Sequence, residues 1–467
     1  MKMWSGRFRQ PLDADFERWQ RSLPFDRRLL AQELAASRIH AQALRKAGIL
    51  SAGELNSIVE GLAQIAEKAA ASRDFLDDEA AEDVHHFVEK QLVELIGESG
   101  YKLHSGRSRN EQIATDLRLY VRHSIDQARE QIADLIAALL ARAEQAGGAA
   151  MPSYTHLQRA EPVLLAHWLL AYVEMLLRDM ERLEDCRKRV NLCPLGSGAV
   201  AGATLPLDRQ YMAQQLGFDA PTHNSLDATT DRDFVLEFVQ ALLFLSLHLS
   251  RWAEEMLLFS TQEYGFIALP EKYSTGSSAM PQKKNPDLLE LARGKAGRIA
   301  GDFNALLLVL KGLPLAYNKD LQETQEPLFD AAETMLSLLP LVTGWMRDVE
   351  FNYTRMREAA QSGFLNAWAA ATYLAERGVP FRLAHERVGN AVRLCLEKGC
   401  ELQELALDEL RQFSPEFEQD VYARLSVESV LGIHDVHGGT APSRVSRAIA
   451  ECKDKLAARR EVAHAHA

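Results

Sequence analysis

Apolar residues recur at spacings of three, four and seven through most of the chain, the spacing of one face of an α-helix. From about Phe25 to Leu103 the pattern predicts helices of ordinary length. Leu29, Leu30, Leu34 and Ile39 begin one apolar face, and a second helix covers Ala52 to Ala71. Five later segments are much longer: about Ile113 to Gln145, Pro162 to Arg189, Arg232 to Glu263, Asp287 to Lys311 and Glu326 to Met346. Several are apolar on more than one face, so they need helical partners, and the middle of the chain is expected to be an extended bundle. The surplus apolar surface predicts partner chains too, hence a homo-oligomer. After Tyr353 the helices shorten, broken at Gly378-Val379-Pro380, Ser414-Pro415 and Gly438-Gly439. Strand patterns are nearly absent. The expected architecture is all-α in three parts: an N-terminal helical domain 1–110, a central long-helix bundle 111–352 and a small C-terminal domain 353–467.

Three polar stretches interrupt this text: Ser105 to Asn110, Ser153 to Gln158 and Gly276 to Asn285. The third is the most distinctive. Gly276, Pro281 and Pro286 oppose a helix, because proline lacks the N–H and glycine is entropically costly there. The loop offers hydroxyls (Ser277, Ser278), ammoniums (Lys283, Lys284) and an amide (Asn285). Composition alone allows an exposed basic turn. It also allows a site for an anionic substrate, with donors for carboxylate oxygens and a hydroxyl to move a proton.

Other signals carry less. The acidic run Asp77, Asp78, Glu79, Glu82 and Asp83, followed by His85 and His86, reads as a solvated helix N-terminus, and no spaced His/Cys set points to a metal. Gly196, Gly198 and Ala201 satisfy a dinucleotide-binding pattern, but no βαβ unit surrounds them. The tail AHAHA reads as frayed. A formal net charge of -12 argues against nucleic acid as the main partner. Five cysteines without CxxC spacing read as reduced, buried thiols. No signal peptide is visible, and polar residues interrupt Phe234 to Phe259 too often for a membrane span, so the expected location is the cytoplasm.

The string GSSAMPQKKNP (Gly276 to Pro286), together with the two other polar stretches and the helical middle, resembles the aspartase/fumarase superfamily over essentially the whole chain. Its details are similar to argininosuccinate lyase: the opening MWSGRF, SGRSRN, LGSGAVAGATLPLD (Leu195 to Asp208), NSLDATTDRDF (Asn224 to Phe234), MPQKKNPD and AYNKDLQE (Ala316 to Glu323). Adenylosuccinate lyase would show MPHKRNP and fumarase MPGKVNP in place of MPQKKNP. The resemblance implies a superfamily fold whose long bundle forms a homotetrameric core, with four active sites shared between subunits. It implies release of fumarate and arginine from argininosuccinate, in arginine biosynthesis, without metal or organic cofactor. A non-catalytic role, as in related lens crystallins, is disfavoured because His156, Ser277, Lys283 and Asn285 are all present.

By the same resemblance Ser277 is the base that removes the proton beside a carboxylate, while Lys283 and Asn285 stabilise the aci-carboxylate dianion. His156, of the THLQ block, is the general acid on the departing nitrogen, and Glu290 its carboxylate partner. Ser37, Arg109, Asn110, Thr155, Tyr317 and Gln322 contact substrate, Arg232 and Asp233 support the site, and Asp83 and His85 lie near its entrance. The loop around Ser277 is expected to be mobile and to close over substrate. Two departures stand out. The family's D-x-x-G-S block reads Glu33-Leu-Ala-Ala36-Ser37 here, and where the family commonly has D-K-E after AYNKDLQE, this chain has Thr324-Gln325-Glu326. Gln325 keeps a donor but loses the charge, which predicts weaker substrate affinity or compensation by Lys319.

Overall fold

The computed structural model describes residues 10–465. The MWSGRF block and the last two residues of the AHAHA tail lie outside the described residues. The chain divides into two compact units: Met1–Gln127, Glu181–Phe244 and Gly297–Met335 form one, and Ala128–Met180, Leu245–Ala296 and Leu336–Ala467 the other.

The five long segments are all helices: Arg109–Ala146, Leu165–Val190, Asp233–Ser260, Asp287–Leu310 and Gln325–Asp348. The first has 38 residues, a span of roughly 57 Å at about 1.5 Å per residue. Its predicted stripe of Ile125, Ile132, Leu135, Ile136, Leu139 and Leu140 is buried throughout. Each unit has its own aromatic packing. Tyr120 meets Phe329 edge-on at 5.0 Å in the first, and Trp252 meets Trp345 edge-on at 5.1 Å in the second.

The N-terminal helices also follow local rules. Ala52–Ala71 is started by a capping box, in which Ser51 accepts from the Glu54 amide and Glu54 from the Ser51 amide. Ile58, Leu62 and Ile65 form its buried face. All five cysteines are free, four of them buried.

By length and composition Asp233–Ser260 is apolar enough to cross a membrane, and half of its most apolar window is buried. Leu242, Leu245, Leu249, Trp252 and Met256 are core residues of this helix. Its other side leaves Phe244 and Leu247 exposed, as Asp287–Leu310 leaves Leu291, Leu307 and Leu308, and Gln325–Asp348 leaves Leu341.

Strands, nearly absent from the sequence pattern, occur among the described residues as four two-stranded pairs. One is substantial. Ala150–Thr155 pairs antiparallel with Gln158–Leu164, with a register shift between Pro152 and Tyr154. The helix expected from Pro162 therefore begins at Leu165, since Pro162 and Val163 still belong to the strand. The C-terminal segment also differs from expectation: its last helix, Pro442–Ala465, runs 24 residues and reaches into the AHAHA tail.

The loop before that last helix holds the hairpin in place. Thr440 Oγ1 accepts the Leu164 N–H at 2.8 Å, and His434 Nε2 lies 3.3 Å from Glu161. Gly439 sits where a Cβ would overlap the carbonyl oxygen of His434. Gly439→Ala is therefore expected to destabilise the protein by about 1–3 kcal/mol, as overpacking does, and to expose the Leu164 amide to exchange. Calorimetry and hydrogen exchange check this; an unchanged melting temperature with Leu164 still protected would contradict it.

Candidate functional site

The stretch from Gly276 to Pro286 is a hairpin running into a helix. Thr275–Gly276 pairs antiparallel with Lys284–Asn285, and Asp287–Leu310 follows. Asp287 fastens the base of the hairpin, its Oδ2 accepting from Thr275 N at 3.0 Å and from Thr275 Oγ1 at 2.7 Å. Asn285 Nδ2 reaches back to Thr275 Oγ1 and the Gly276 carbonyl through long bonds of 3.3 and 3.4 Å.

At the tip, Ser277 Oγ accepts two backbone N–H groups, from Ala279 at 3.2 Å and Met280 at 3.1 Å. Donors aimed at an oxygen favour its negatively charged form. A serine that must act as a base needs such donors. The two lysines are not equivalent: Lys284 pairs with Glu271 at 3.0 Å, whereas Lys283 forms no ion pair among the described residues. Glu290, in the first turn of the helix, is exposed.

His156 and Leu157 form the two-residue turn of the Ala150–Thr155/Gln158–Leu164 hairpin, with φ of 53° and 58°. Both central residues at positive φ is the type I′ arrangement, which favours Asn and Gly rather than His and Leu. Thr155, His156 and Leu157 are all exposed, Leu157 at 68%. The His156 imidazole makes no hydrogen bond among the described residues. An unfavourable backbone presenting an unpartnered imidazole is the kind of strain that gathers at functional sites.

A pocket in the other unit gathers four more of the expected residues: Arg109, Asn110, Tyr317 and Gln322. Lys319, Gln325, Asp83 and His85 share its wall. Tyr317 follows Ala316, whose φ of 70° is secured by Asn318 Nδ2 donating to the Ala316 carbonyl. Asp26, Ser22 and Glu82 also line it, and the sequence reading had not singled out Asp26 or Ser22. The one available signal was an acid set in the apolar run Leu23-Pro-Phe-Asp26.

Ser37 does not line this pocket. It is fully buried, donating to Glu33 at 2.5 Å and accepting from Arg107 at 2.9 Å. Arg232 is likewise buried, and burial lowers its pKa to about 10. Glu33, His85 and Asp116 bring one ligand atom each within 4.8 Å of one another. Arg107 lies 3.5 Å from Glu33, and Gln112 and Ser37 donate to the same carboxylate. These contacts make the group a neutralised ion network.

The chain matches the family model for lyases over residues 6–301 and that for the argininosuccinate lyase C-terminal region over residues 364–432. It is 60% identical to the argininosuccinate lyase of Koribacter versatilis, over 100% of both chains. It is 59% identical to that of Acidobacterium capsulatum, over 96% of this chain and 93% of the relative. Among solved structures, EDDS lyase in complex with formate aligns with a TM-score of 0.85 at 28% identity, covering 95% of this chain and 89% of the other. The class II fumarase of Schistosoma mansoni aligns with a TM-score of 0.72 at 15% identity, over 86% of this chain and 90% of that one, a likeness of fold alone.

Electrostatics in the pocket run against ordinary titration. Burial pulls His85 down, but Asp116, Asp83 and Glu33 outweigh it and hold the imidazole well above its usual value. His85 and Arg109 keep Asp83 below the carboxylate range despite burial. Asp26 goes the other way: burial first, then Asp83, pushes it from 3.8 up to about 7. The folded protein thus keeps a proton on Asp26 where the unfolded chain has released it. The stability this confers is complete below about pH 3.8 and is lost as pH rises through about 7. Asp26→Asn is expected to flatten the fall in denaturant stability between those values. Parallel curves for the two proteins would contradict the assignment.

Proposed function

The chain belongs to the argininosuccinate lyase family, and on that premise we propose that it cleaves argininosuccinate reversibly to arginine and fumarate, in arginine biosynthesis. The observation that carries the reading is the pair of N–H groups on Ser277 Oγ, with Lys283 free of any ion pair on the same loop. Removing a proton beside a carboxylate creates an unstable carbanion unless the charge moves into the carboxylate. Preorganised donors must then receive that charge.

In this reading Ser277 takes the proton, and the Lys283 ammonium and Asn285 amide stabilise the aci-carboxylate dianion. The long bonds of Asn285 are readily exchanged for bonds to substrate. His156 protonates the departing guanidino nitrogen, with Glu290 as its partner. Thr155, Arg109, Asn110, Tyr317 and Gln322 bind substrate. Ser37, expected as a substrate contact, is buried beneath Arg107 and is taken here to position that side chain rather than to touch substrate. Every step is a proton transfer or a charge stabilisation that side chains perform, so the scheme calls for no cofactor.

The sites are completed by other copies of the chain in a homotetramer, with 1–110, 111–352 and 353–467 as the three parts of each subunit. Leu247, Leu291, Leu308 and Leu341, exposed on the long helices, supply apolar surface for such contacts. The expected location is the cytoplasm.

Fumarate release, followed by ultraviolet absorbance with argininosuccinate and adenylosuccinate side by side, tests the activity. Turnover of argininosuccinate alone is expected, with Ser277→Ala and His156→Asn each slower by about 10²–10⁴-fold. Turnover of adenylosuccinate alone, or full activity of Ser277→Ala, would overturn the reading. Mixing refolded Ser277→Ala and Arg109→Ala subunits is expected to restore part of the activity that each lacks; no recovery in tetramers shown to be mixed would count against shared sites.

A further inference from the structure

In the pocket lined by Arg109, Tyr317 and Gln322, every cation already has an anion. Arg109 lies 3.4 Å from Glu82 and 3.2 Å from Asp83, Lys319 lies 3.5 Å from Glu82, and His85 lies 3.1 Å from Asp116. Lys319 is therefore not a spare charge standing in for a missing lysine. The wall instead offers neutral amides. Gln325 is only 3% exposed, yet its Oε1 has no hydrogen-bond partner. Its side chain, like that of Asn110, makes no hydrogen bond among the described residues. A buried, unpartnered carboxamide lining a pocket is costly unless a ligand satisfies it. It offers one donor side and one acceptor side, so it meets an N–H as readily as a carboxylate oxygen.

Where the described residues offer no unpaired cation, a ligand carboxylate gains little from this wall. A lysine at position 325 would add one uncompensated charge and make that carboxylate a requirement. Gln325 does not. We propose that this chain also accepts amines lacking an α-carboxylate, adding carboxylate-free alkylguanidines to fumarate and eliminating them from the corresponding succinyl adducts. This rests on the reading above that Arg109, Asn110, Tyr317 and Gln322 bind substrate, and takes the part bound beside Gln325 to be the amine half.

The step balances without a co-reactant. The guanidino nitrogen forms a bond to one olefinic carbon of fumarate as the π bond breaks. The other carbon takes a proton from Ser277, and the nitrogen loses one to His156. Elimination runs the same exchange backwards.

The probe is agmatine, which is arginine without its carboxylate. Fumarate consumption is followed with agmatine and with L-arginine, using the intact wild-type enzyme, so the main comparison does not depend on any variant folding. Agmatine is expected to be used with a kcat/KM within about a hundredfold of arginine's, the worth of one hydrogen bond from a neutral amide to the missing carboxylate. Gln325→Lys is expected to raise the arginine-to-agmatine ratio by a further tenfold or so. Consumption with arginine but none with agmatine overturns the proposal, as does a folded Gln325→Lys enzyme with an unchanged ratio. If arginine and argininosuccinate also fail, the lyase reading itself falls, and this proposal with it.

Discussion

Long helices with more apolar surface than their own chain covers are the constraint on which the rest of this structure depends. Their sides are committed to packing. The segments to which the proposed chemistry is assigned sit just before these helices or in their first turns. The Ser105 to Asn110 turn leads into Arg109–Ala146, the His156 hairpin into Leu165–Val190, the Ser277 hairpin into Asp287–Leu310, and the turn Lys319–Thr324 into Gln325–Asp348. Helix N-termini carry partial positive charge, a favourable setting for a substrate rich in carboxylates. Rigid helices thus fix the position of loops whose own sequences are unsuited to regular structure.

The two halves of the chemistry solve different electrostatic problems. On the Ser277 hairpin Ser277 and Asn285 are half-buried, and the exposed Lys283 forms no ion pair among the described residues, which on the proposed reading leaves its ammonium for the dianion. In the Arg109 pocket His85 and Asp26 are buried and Arg109 is partly so, and the buried charge must be neutralised where it stands. Arg109 is held by Glu82 and Asp83, and His85 by Asp116 and its neighbours. Such pairing prevents a large desolvation cost but leaves no free charge for a ligand. On the proposal made above, recognition there passes to amides, of which the buried Gln325 is one.

Helical periodicity located the five long helices before Tyr353 to within a few residues, because burial of a wide apolar face leaves a plain spacing signal, but it did not mark the 24-residue Pro442–Ala465. The hairpin bearing His156 was not legible. Its two prolines and polar turn read as a break between helices, and the contacts that join it to the rest, Thr440 to Leu164 and His434 to Glu161, come from remote sequence. Ser277, Lys283 and Asn285 stood out because their loop contradicts its helical surroundings. What no pattern revealed was which of two adjacent lysines is free, that Ser37 is sealed beneath Arg107, or that Asp26 joins the pocket. Those facts depend on contacts between segments far apart in the chain.

The most direct test of the account is a structure of the Ser277→Ala tetramer with argininosuccinate bound. The account predicts one substrate touched by Lys283 of one copy and by Asn110 and Gln322 of another, with residue 277 facing the carbon that bears the transferred proton. A substrate held wholly by one copy, or bound with residue 277 facing away from that carbon, would contradict it.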